Sequence, residues 1–292
     1  MAHKGKDVAG VEELGKILDV AMAHVPSGSF AEGDHIGDDG LIVCGKCGTP
    51  KHCRVESPFH EEPMIVRCMC ACEEREEAER AARAQAEQAA AWADAMRDEC
   101  FESADFLRTC TFEADDRANP QVSTACERYA DTFSQNDRYG LILHGGVGTG
   151  KSFMAAAIAN RVIDHGFTAL QTDIGSIATA MESSFEKRKA TLNRILGYDL
   201  LVIDDIGAQR STEYMMQHVY SVIDGRYRQG RPMVITTNLD FEGLSGGLAS
   251  GPWGRIFDRI SEVCYPVEFA GKSRRRVKSV EMRKAMRSRL GL

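Results

Sequence analysis

The sequence of 292 residues lacks any apolar run long enough to span a bilayer, and its first residues, M-A-H-K-G-K-D, lack the apolar centre of an export signal. We therefore expect a cytoplasmic protein with no membrane partner. Basic residues are in deficit, with 36 Lys and Arg against 43 Asp and Glu, a formal net charge of −7. That balance argues against a protein that coats nucleic acid over its whole surface. The 43% hydrophobic content suits a soluble protein with one sizeable domain and a smaller one.

Cysteines are not scattered as in a disulfide framework, because six of the ten lie between Cys44 and Cys72. Without an export signal, this clustering indicates metal binding in a reducing cytoplasm. Cys44 and Cys47, with a glycine after each, form a zinc-knuckle type of turn. A tetrahedral zinc site needs two more ligands, which we expect from two of Cys68, Cys70 and Cys72.

Other ligands and another metal stay open for this cluster. Cys53, His52 and His60 are reserve ligands in the same stretch. An iron–sulfur cluster is the alternative to zinc, since thiolates suit both.

The segment L-I-L-H-G-G-V-G-T-G-K-S, from Leu141 to Ser152, predicts a phosphate-binding loop between a buried strand and a helix. Backbone N–H groups of such a loop close around phosphate oxygens, which a Cβ would obstruct. Lys151 supplies a charge to the outer phosphates of a nucleotide, and the Ser152 hydroxyl is a ligand for Mg²⁺. The predicted nucleotide-binding residues here are Gly145, Gly146, Val147, Gly148, Thr149, Gly150, Lys151, Ser152 and Phe153.

Apolar runs that alternate with helical patterns predict a parallel sheet flanked by helices, an α/β fold of the doubly wound class. The expected elements are helix 121–134, strand 140–143, helix 152–165, strand 168–172, helix 174–196, strand 200–203, helix 212–229 and strand 232–236.

Three parts are expected along the chain. Residues 1–72 hold a short helix over Val8 to Val25 and the cysteine module. Residues 73–105 form a linker helix, because Glu73 to Glu99 is rich in helix formers with opposite charges one turn apart. Residues 106–292 form the nucleotide-binding domain with a basic tail.

Two acids follow the strand that begins at Leu200, at the sheet edge where the phosphate loop also lies. We expect Asp204 to hold Mg²⁺ through water and Asp205 to orient or deprotonate the attacking water. The next strand ends in Thr236-Thr237-Asn238, which puts an amide where it can sense the γ-phosphate.

Together these motifs resemble AAA+ ATPases, and in detail the DnaC/DnaI-type replicative helicase loaders of the IstB-like superfamily, including phage proteins. The resemblance covers roughly residues 106–276. Its motifs are G-G-V-G-T-G-K-S, D-L-L-V-I-D-D-I-G-A-Q, V-Y-S-V-I-D-G-R-Y, I-T-T-N-L, R-I-F-D-R-I and G-K-S-R-R.

This resemblance implies roles for further residues. Asn238 is similar to the sensor-1 residue, and Arg259 to the arginine finger, with Arg255 close by. A finger acts on the site of a neighbouring subunit, so it implies self-association. Arg275 is similar to the sensor-2 arginine, with Arg274 as the alternative. Asp205 stands where many AAA+ proteins have Glu, which suggests slow turnover.

Two segments are candidates for DNA contact. The predicted helix 174–196 carries Phe185 with Lys187, Arg188 and Lys189, which offer a stacking platform and phosphate contacts to single-stranded DNA; a surface helix whose Phe packs inward is the alternative. The stretch 272–289 is almost entirely basic, and both a solvated tail and a contact with an anionic partner stay open.

The function implied is ATP-dependent loading of the replicative hexameric helicase onto single-stranded DNA, with a zinc module that grips the helicase. Two alternatives stay open. An IstB-like transposition helper shares the ATPase core but remodels a transposase on duplex DNA. A non-hydrolysing adaptor binds ATP only to fix its shape.

Overall fold

The computed structural model describes residues 31–56, 58, 63–102, 104–134, 138–182, 184–207, 213–239 and 252–291. Two units divide the chain, Met1–Glu87 and Gln88–Leu292. The helix predicted over Val8 to Val25 and the reserve ligand His60 lie outside the described residues.

Two short antiparallel hairpins make up the strands of the first unit. Among its described residues, the buried apolar side chains are Leu41, Cys44 and Cys70. So small an apolar core cannot organise a module by itself, which is the situation in which a structural metal contributes to folding. The strands are β1 His35–Ile36, paired with β2 Ile42–Val43, and β3 His52–Val55, paired with β4 Met64–Arg67.

A helix of 31 residues, α1 (Ala71–Phe101), runs from the first unit into the second. Residues 74–92 are all exposed, as expected for a helix of charged residues and alanine. Further along, Ala93, Met96 and Cys100 recur at helical spacing and are buried in the core of the second unit. The linker helix is therefore a packed element over its last turns.

The second unit contains a five-stranded parallel sheet in the order β6-β7-β8-β5-β9. The strands Gly140–His144 and Met233–Thr237 are buried along their whole length, as parallel strands covered on both faces should be. The expected α/β fold, a parallel sheet flanked by helices, is confirmed. The strands are β5 Gly140–His144, β6 Ala169–Asp173, β7 Leu200–Ile206, β8 Met233–Thr237 and β9 Cys264–Glu268.

Helices cover this sheet, and α4 is the most deeply buried of those described, with a run of alanines that lets it approach the strands closely. Among the described residues, no helix is both long and apolar enough to cross a membrane. The remaining helices of the second unit are α2 Asp105–Arg108, α3 Pro120–Asp131, α4 Lys151–Asp164, α5 Ile174–Met181, α6 Phe185–Gly197, α7 Glu213–Gln229, α8 Pro252–Val263 and α9 Arg274–Leu290.

The prediction of a single helix over residues 174–196 is wrong, because α5 ends at Met181 and α6 begins only at Phe185. Glu182 leaves the helical conformation with ψ of 47°, and Ser184 is extended with ψ of 155°. Serine favours helix ends over helix interiors, since its hydroxyl competes for backbone hydrogen bonds.

Strand β9 and helix α9 were not among the predicted elements. Pro266 lies within β9, and proline in a short run argues against a strand. The strand tolerates it because β9 is an edge strand that pairs with β5 alone. The basic stretch predicted as a tail is helical over α9.

Candidate functional site

In the loop between β5 and α4, Gly145, Gly148 and Gly150 all have a positive φ, which favours glycine, and the first two also have no room for a Cβ. Gly145 has φ of +137° and Gly148 has φ of +79°. A Cβ on Gly145 would lie 2.4 Å from the carbonyl oxygen of Phe269, and one on Gly148 would lie 2.3 Å from Oγ of Ser273. Both glycines are therefore fixed by the fold as well as by any ligand.

The rest of the loop presents backbone to solvent in front of the N-terminus of α4. The Val147 side chain is 63% exposed, and the Thr149 hydroxyl turns back to donate to the carbonyl oxygen of Gly146 at 2.9 Å. Ser152 and Phe153 are half-buried in the first turn of α4. A glycine-rich loop that leads into a 14-residue helix fits the phosphates of a nucleotide.

Lys151 is buried at the foot of this loop, with 6% of its surface exposed. Its Nζ donates hydrogen bonds of 2.8 Å to the carbonyl oxygens of Gly145 and Gly146 and to Oδ1 of Asn238. Burial lowers the pKa of Lys151, while the charges of Asp205 and Asp204 act in the opposite direction. The ammonium group is thus held between the loop and the two acids.

Both acids lie where β7 loses regular pairing with β8, since the register shifts between Ile203 and Ile206. Asp205 has φ of +56°, a left-handed conformation that few side chains adopt and that recurs at functional sites. The Thr236 hydroxyl donates to Oδ1 of Asp204 and accepts from the backbone N–H of Asp205 at 2.8 Å. Sequence reasoning did not assign Thr236 to the site; its place beside Asn238 at the end of a strand was the available signal.

Asn238 lies between the lysine and the second acid. Strand β8, which it follows, runs between β5 and β7. Its Nδ2 donates to Oδ1 of Asp205 at 2.6 Å, while its Oδ1 accepts from Lys151. The chemistry fixes this orientation of the amide, because an ammonium group can only donate and a carboxylate can only accept.

The first turn of α9 lies against the phosphate loop. The backbone N–H of Arg274 donates to the carbonyl oxygen of Gly148 at 2.8 Å, and its guanidinium group pairs with Asp115 and Asp116 at 3.4 and 3.0 Å. Arg275 is exposed. Its charge adds to burial in lowering the pKa of Lys151. Of the two candidate arginines, Arg275 is the one that Asp115 and Asp116 do not engage.

Arg259 on α8 is held within its own subunit. Its Nε donates to Oδ1 of Asp224 at 2.6 Å, which raises the pKa of the guanidinium group. The guanidinium carbon also lies 5.0 and 5.7 Å from the ring centres of Tyr220 and Tyr227. Arg255, one turn earlier on the same helix, is exposed. The residues that contact Arg259 all lie in the motif V-Y-S-V-I-D-G-R-Y. The sequence alone does not indicate that this motif contacts Arg259.

The residues considered for DNA contact lie around the start of α6. Lys187 and Lys189 are exposed, and Nε of Arg188 donates to the carbonyl oxygen of Met181 at 3.1 Å. Arg188 thus contributes to the junction between α5 and α6.

A candidate metal centre lies in the first unit, where the Sγ atoms of Cys44, Cys47, Cys70 and Cys72 all lie within 4.8 Å of one another. The knuckle turn closes through a hydrogen bond of 2.9 Å from the N–H of Gly48 to the carbonyl oxygen of Cys44. Four thiols at this separation fit a tetrahedral zinc ion.

The fifth cysteine of the prediction, Cys68, is outside this group. Its Sγ instead faces the carbonyl oxygen of Pro50 at 3.8 Å. The cluster that could hold a metal thus leaves out Cys68, and it offers four thiols without the reserve ligands His52 and Cys53.

Polar groups around the four thiols hold them in place. Oγ1 of Thr49 lies 3.1 Å from Sγ of Cys47 and accepts from the N–H of Ala71 at 2.8 Å. The hydroxyl can donate to a thiolate at Cys47, and this hydrogen bond lowers the pKa of the Cys47 thiol to about 5. Nearby, Nζ of Lys51 pairs with Asp34 at 2.6 Å. Backbone N–H groups lower the pKa of Cys44 as well, so Cys44 and Cys47 favour the thiolate form that a metal requires, whereas the neighbouring thiol of Cys70 raises the pKa of Cys72 to about 12.

The family described as IstB-like ATP binding protein matches residues 67–282. The replicative helicase loader DnaC of Buchnera aphidicola subsp. Schizaphis graminum is 30% identical over 159 residues, 52% of this chain and 63% of the loader. The replicative helicase loader DnaC of Escherichia coli strain K12 is 29% identical over 160 residues, with the same coverage of 52% and 63%.

This chain thus matches less than two thirds of the length of either loader. Among solved structures, the crystal structure of DnaI aligns with a TM-score of 0.50 at 23% identity and covers 57% of this chain and 92% of that chain. The likeness to DnaI concerns the fold alone.

Proposed function

The chain belongs to the family of IstB-like ATP-binding proteins, and from that premise we propose that it is an ATPase that loads a replicative hexameric DNA helicase onto single-stranded DNA. The observation that carries the ATPase part is the hydrogen-bonded row of Lys151, Asn238 and Asp205 at the edge of the sheet. Names of the matched loaders support the helicase as partner.

In this proposal the loop residues 145–150 bind the phosphates of ATP through backbone N–H groups, and Lys151 contacts the outer phosphates. Ser152 and Asp204 would hold Mg²⁺, which neutralises phosphate charge. Thr236 keeps the Asp204 carboxylate oriented through its hydroxyl. Arg275, exposed beside the loop, adds positive charge next to Gly148.

Asp205 orients the attacking water and accepts its proton, and Asn238 fixes the carboxylate that does so. Aspartate is one methylene shorter than the glutamate of many related sites, so it reaches less far. Slow turnover follows, which suits a switch between assembly and release.

Arg259 is proposed as the arginine finger, which acts on the ATP of a neighbouring subunit. Its guanidinium group must leave Asp224 and its two tyrosines to do so. Assembly therefore exchanges an internal ion pair for one across the interface. Arg255, exposed on the same helix, is the second arginine available there.

The cysteine module is proposed to bind one structural zinc ion and to contact the helicase. Zinc would tie the knuckle turn to the start of α1, because Cys70 and Cys72 flank its first residue. The division into a module of residues 1–72, a linker of residues 73–105 and an ATPase domain of residues 106–292 belongs to the same proposal.

One experiment tests the whole proposal. The full chain is immobilised and offered a purified replicative helicase with ATP or without nucleotide, and phosphate release is measured beside it for the wild type and Asp205→Asn. We expect capture of the helicase that depends on ATP, and phosphate release that Asp205→Asn abolishes. Failure to bind any hexameric helicase overturns loading and leaves the transposition helper. Equal phosphate release by the two proteins overturns the ATPase and leaves the adaptor.

A further inference from the structure

Helix α9 is strongly basic in an acidic protein. Its sequence, R-R-R-V-K-S-V-E-M-R-K-A-M-R-S-R-L, contains eight Lys or Arg residues and a single Glu, a net charge of +7 over 17 residues. The whole chain has a net charge of −7. The positive charge of α9 is therefore a local feature that the nucleotide site, which uses only its first turn, does not explain.

Most of this helix is exposed. Every residue from Val280 to Gly291 is exposed, including the large apolar side chains of Val280, Met282 and Leu290. At 100° per residue, the side chains of the basic residues Arg283, Lys284 and Arg289 point to three sides of the helix, separated by roughly 100–140°. The charge thus surrounds the helix and does not form one stripe.

Repulsion between its positive charges destabilises such a helix unless an anionic partner is bound. Eight basic residues and a single Glu lie within 17 residues of one helix, so its like charges repel one another at short range. Helices of this length that do not pack are marginal in water. A partner that supplies negative charge on several sides would relieve the repulsion and stabilise α9.

The distribution of side chains distinguishes between possible partners. A helix that docks on a protein groove carries its apolar residues on one face, whereas Val280 lies roughly 160° around the helix from Met282. Single-stranded DNA is bound largely by stacking of bases on aromatic side chains, and α9 contains no Phe, Tyr or Trp. The major groove of duplex DNA admits an α-helix between two rows of phosphates.

One end of α9 is fixed while the rest extends from the domain. Arg274 holds the first turn to the phosphate loop through Gly148 and to Asp115 and Asp116. We propose that α9 binds double-stranded DNA through its phosphates, without selecting a sequence. This proposal goes beyond loading onto a single strand and does not depend on it.

The test measures binding of the full, zinc-loaded chain to a fluorescent duplex of about 24 base pairs and to the single strand of the same length, by anisotropy over a range of salt. The test variant carries Arg283→Gln, Lys284→Gln and Arg289→Gln. A matched control carries Arg75→Gln, Arg80→Gln and Arg83→Gln, three exposed arginines of α1, so that both variants have the same reduction in charge. Circular dichroism and nucleotide binding check that each variant is folded.

We expect the wild type and the α1 variant to bind the duplex more tightly than the single strand. The α9 variant should bind it at least about tenfold more weakly at low salt, and its log–log salt slope should fall by about 0.9 for each phosphate that α9 no longer neutralises. Exchange of Arg283 and Arg289 for lysine should preserve binding. The proposal is overturned if the wild type does not bind duplex, if the affinity of both triple variants falls equally, or if only the binding of single strands is weakened.

Discussion

Lys151 and Asn238 stand 87 residues apart in the sequence and are joined by a hydrogen bond of 2.8 Å from Nζ to Oδ1. The other end of the same amide donates to Asp205. One small side chain thus connects the group expected to hold phosphate with the group expected to activate water. Because β8 lies between β5 and β7, the order of the strands creates this contact.

Replacement of Asn238 by alanine should therefore affect turnover more than nucleotide binding. We expect phosphate release by Asn238→Ala to fall about 10²–10³-fold, the usual cost of removing a preorganised polar group at a reacting centre. Affinity for ATP should change little, since the loop and Lys151 remain. Single-turnover phosphate release and titration with a fluorescent ATP analogue measure the two effects separately.

Lys151→Ala is the matched control, because it removes the other end of the same hydrogen bond and should abolish nucleotide binding itself. Wild-type phosphate release by Asn238→Ala would contradict the role assigned to the amide.

Local patterns allowed the phosphate loop, the two acids and the α/β fold to be predicted, since each depends on residues that are neighbours in the sequence. Thr236 as the partner of Asp204, and Asp224 as the partner of Arg259, were not predictable. These contacts join residues 32 and 35 positions apart. They depend on which strands and helices lie side by side, and one sequence does not specify that.

Zinc content should depend on the four clustered cysteines and not on Cys53 and Cys68, which lie nearby in the sequence. Cys44→Ser and Cys70→Ser should each lower the bound zinc well below one ion per chain, because each removes one of four clustered thiols. Cys53→Ser and Cys68→Ser should retain one ion. Zinc released by a thiol-modifying reagent and measured with a chromogenic chelator gives the stoichiometry.

Loss of zinc from Cys68→Ser together with its retention in Cys70→Ser would reverse this assignment of ligands. Spacing alone left the choice among Cys68, Cys70 and Cys72 open. Alternate residues of an extended chain point in opposite directions, and where α1 begins decides which thiols face the knuckle.

Arg226 on α7 is fully buried and organises two turns at the far end of the sheet from the site. Its guanidinium group donates to four backbone carbonyl oxygens, those of Leu196, Tyr198, Asp199 and Pro232. Arg226→Met should lower the free energy of unfolding of the second unit by about 3 kcal/mol or more, because buried carbonyl groups lose their donors. Urea denaturation monitored by circular dichroism measures the change.

Arg228→Met is the control for this prediction. Arg228 lies two residues away on α7, and its side chain is 74% exposed. Its loss should change the free energy of unfolding by no more than about 0.5 kcal/mol. Similar changes in the free energy of unfolding for the two variants would show that the hydrogen bonds of Arg226 do not stabilise the fold.

Mixed subunits test whether Arg259 acts on a neighbour. Asp205→Asn inactivates a site but keeps its arginine, and Arg259→Ala keeps a site but removes the arginine. In an equal mixture, roughly a quarter of head-to-tail interfaces combine an intact site with an intact arginine. Phosphate release should therefore recover to about a quarter of the wild-type rate, although each variant alone is nearly inactive. An arginine that serves its own subunit gives no recovery.

The ion pair with Asp224 sharpens this test. If Arg259 must leave Asp224 to reach a neighbouring site, the pair opposes the active arrangement, and Asp224→Asn should keep or raise the rate of phosphate release in the assembled protein. If Asp224 instead positions Arg259 for the reaction, Asp224→Asn should be about as damaging as Arg259→Ala. Arg255, which is already exposed on α8, is the other candidate for the finger. It would take that role if Asp224→Asn is damaging, if Arg255→Ala abolishes phosphate release, and if mixing Arg255→Ala with Asp205→Asn restores it.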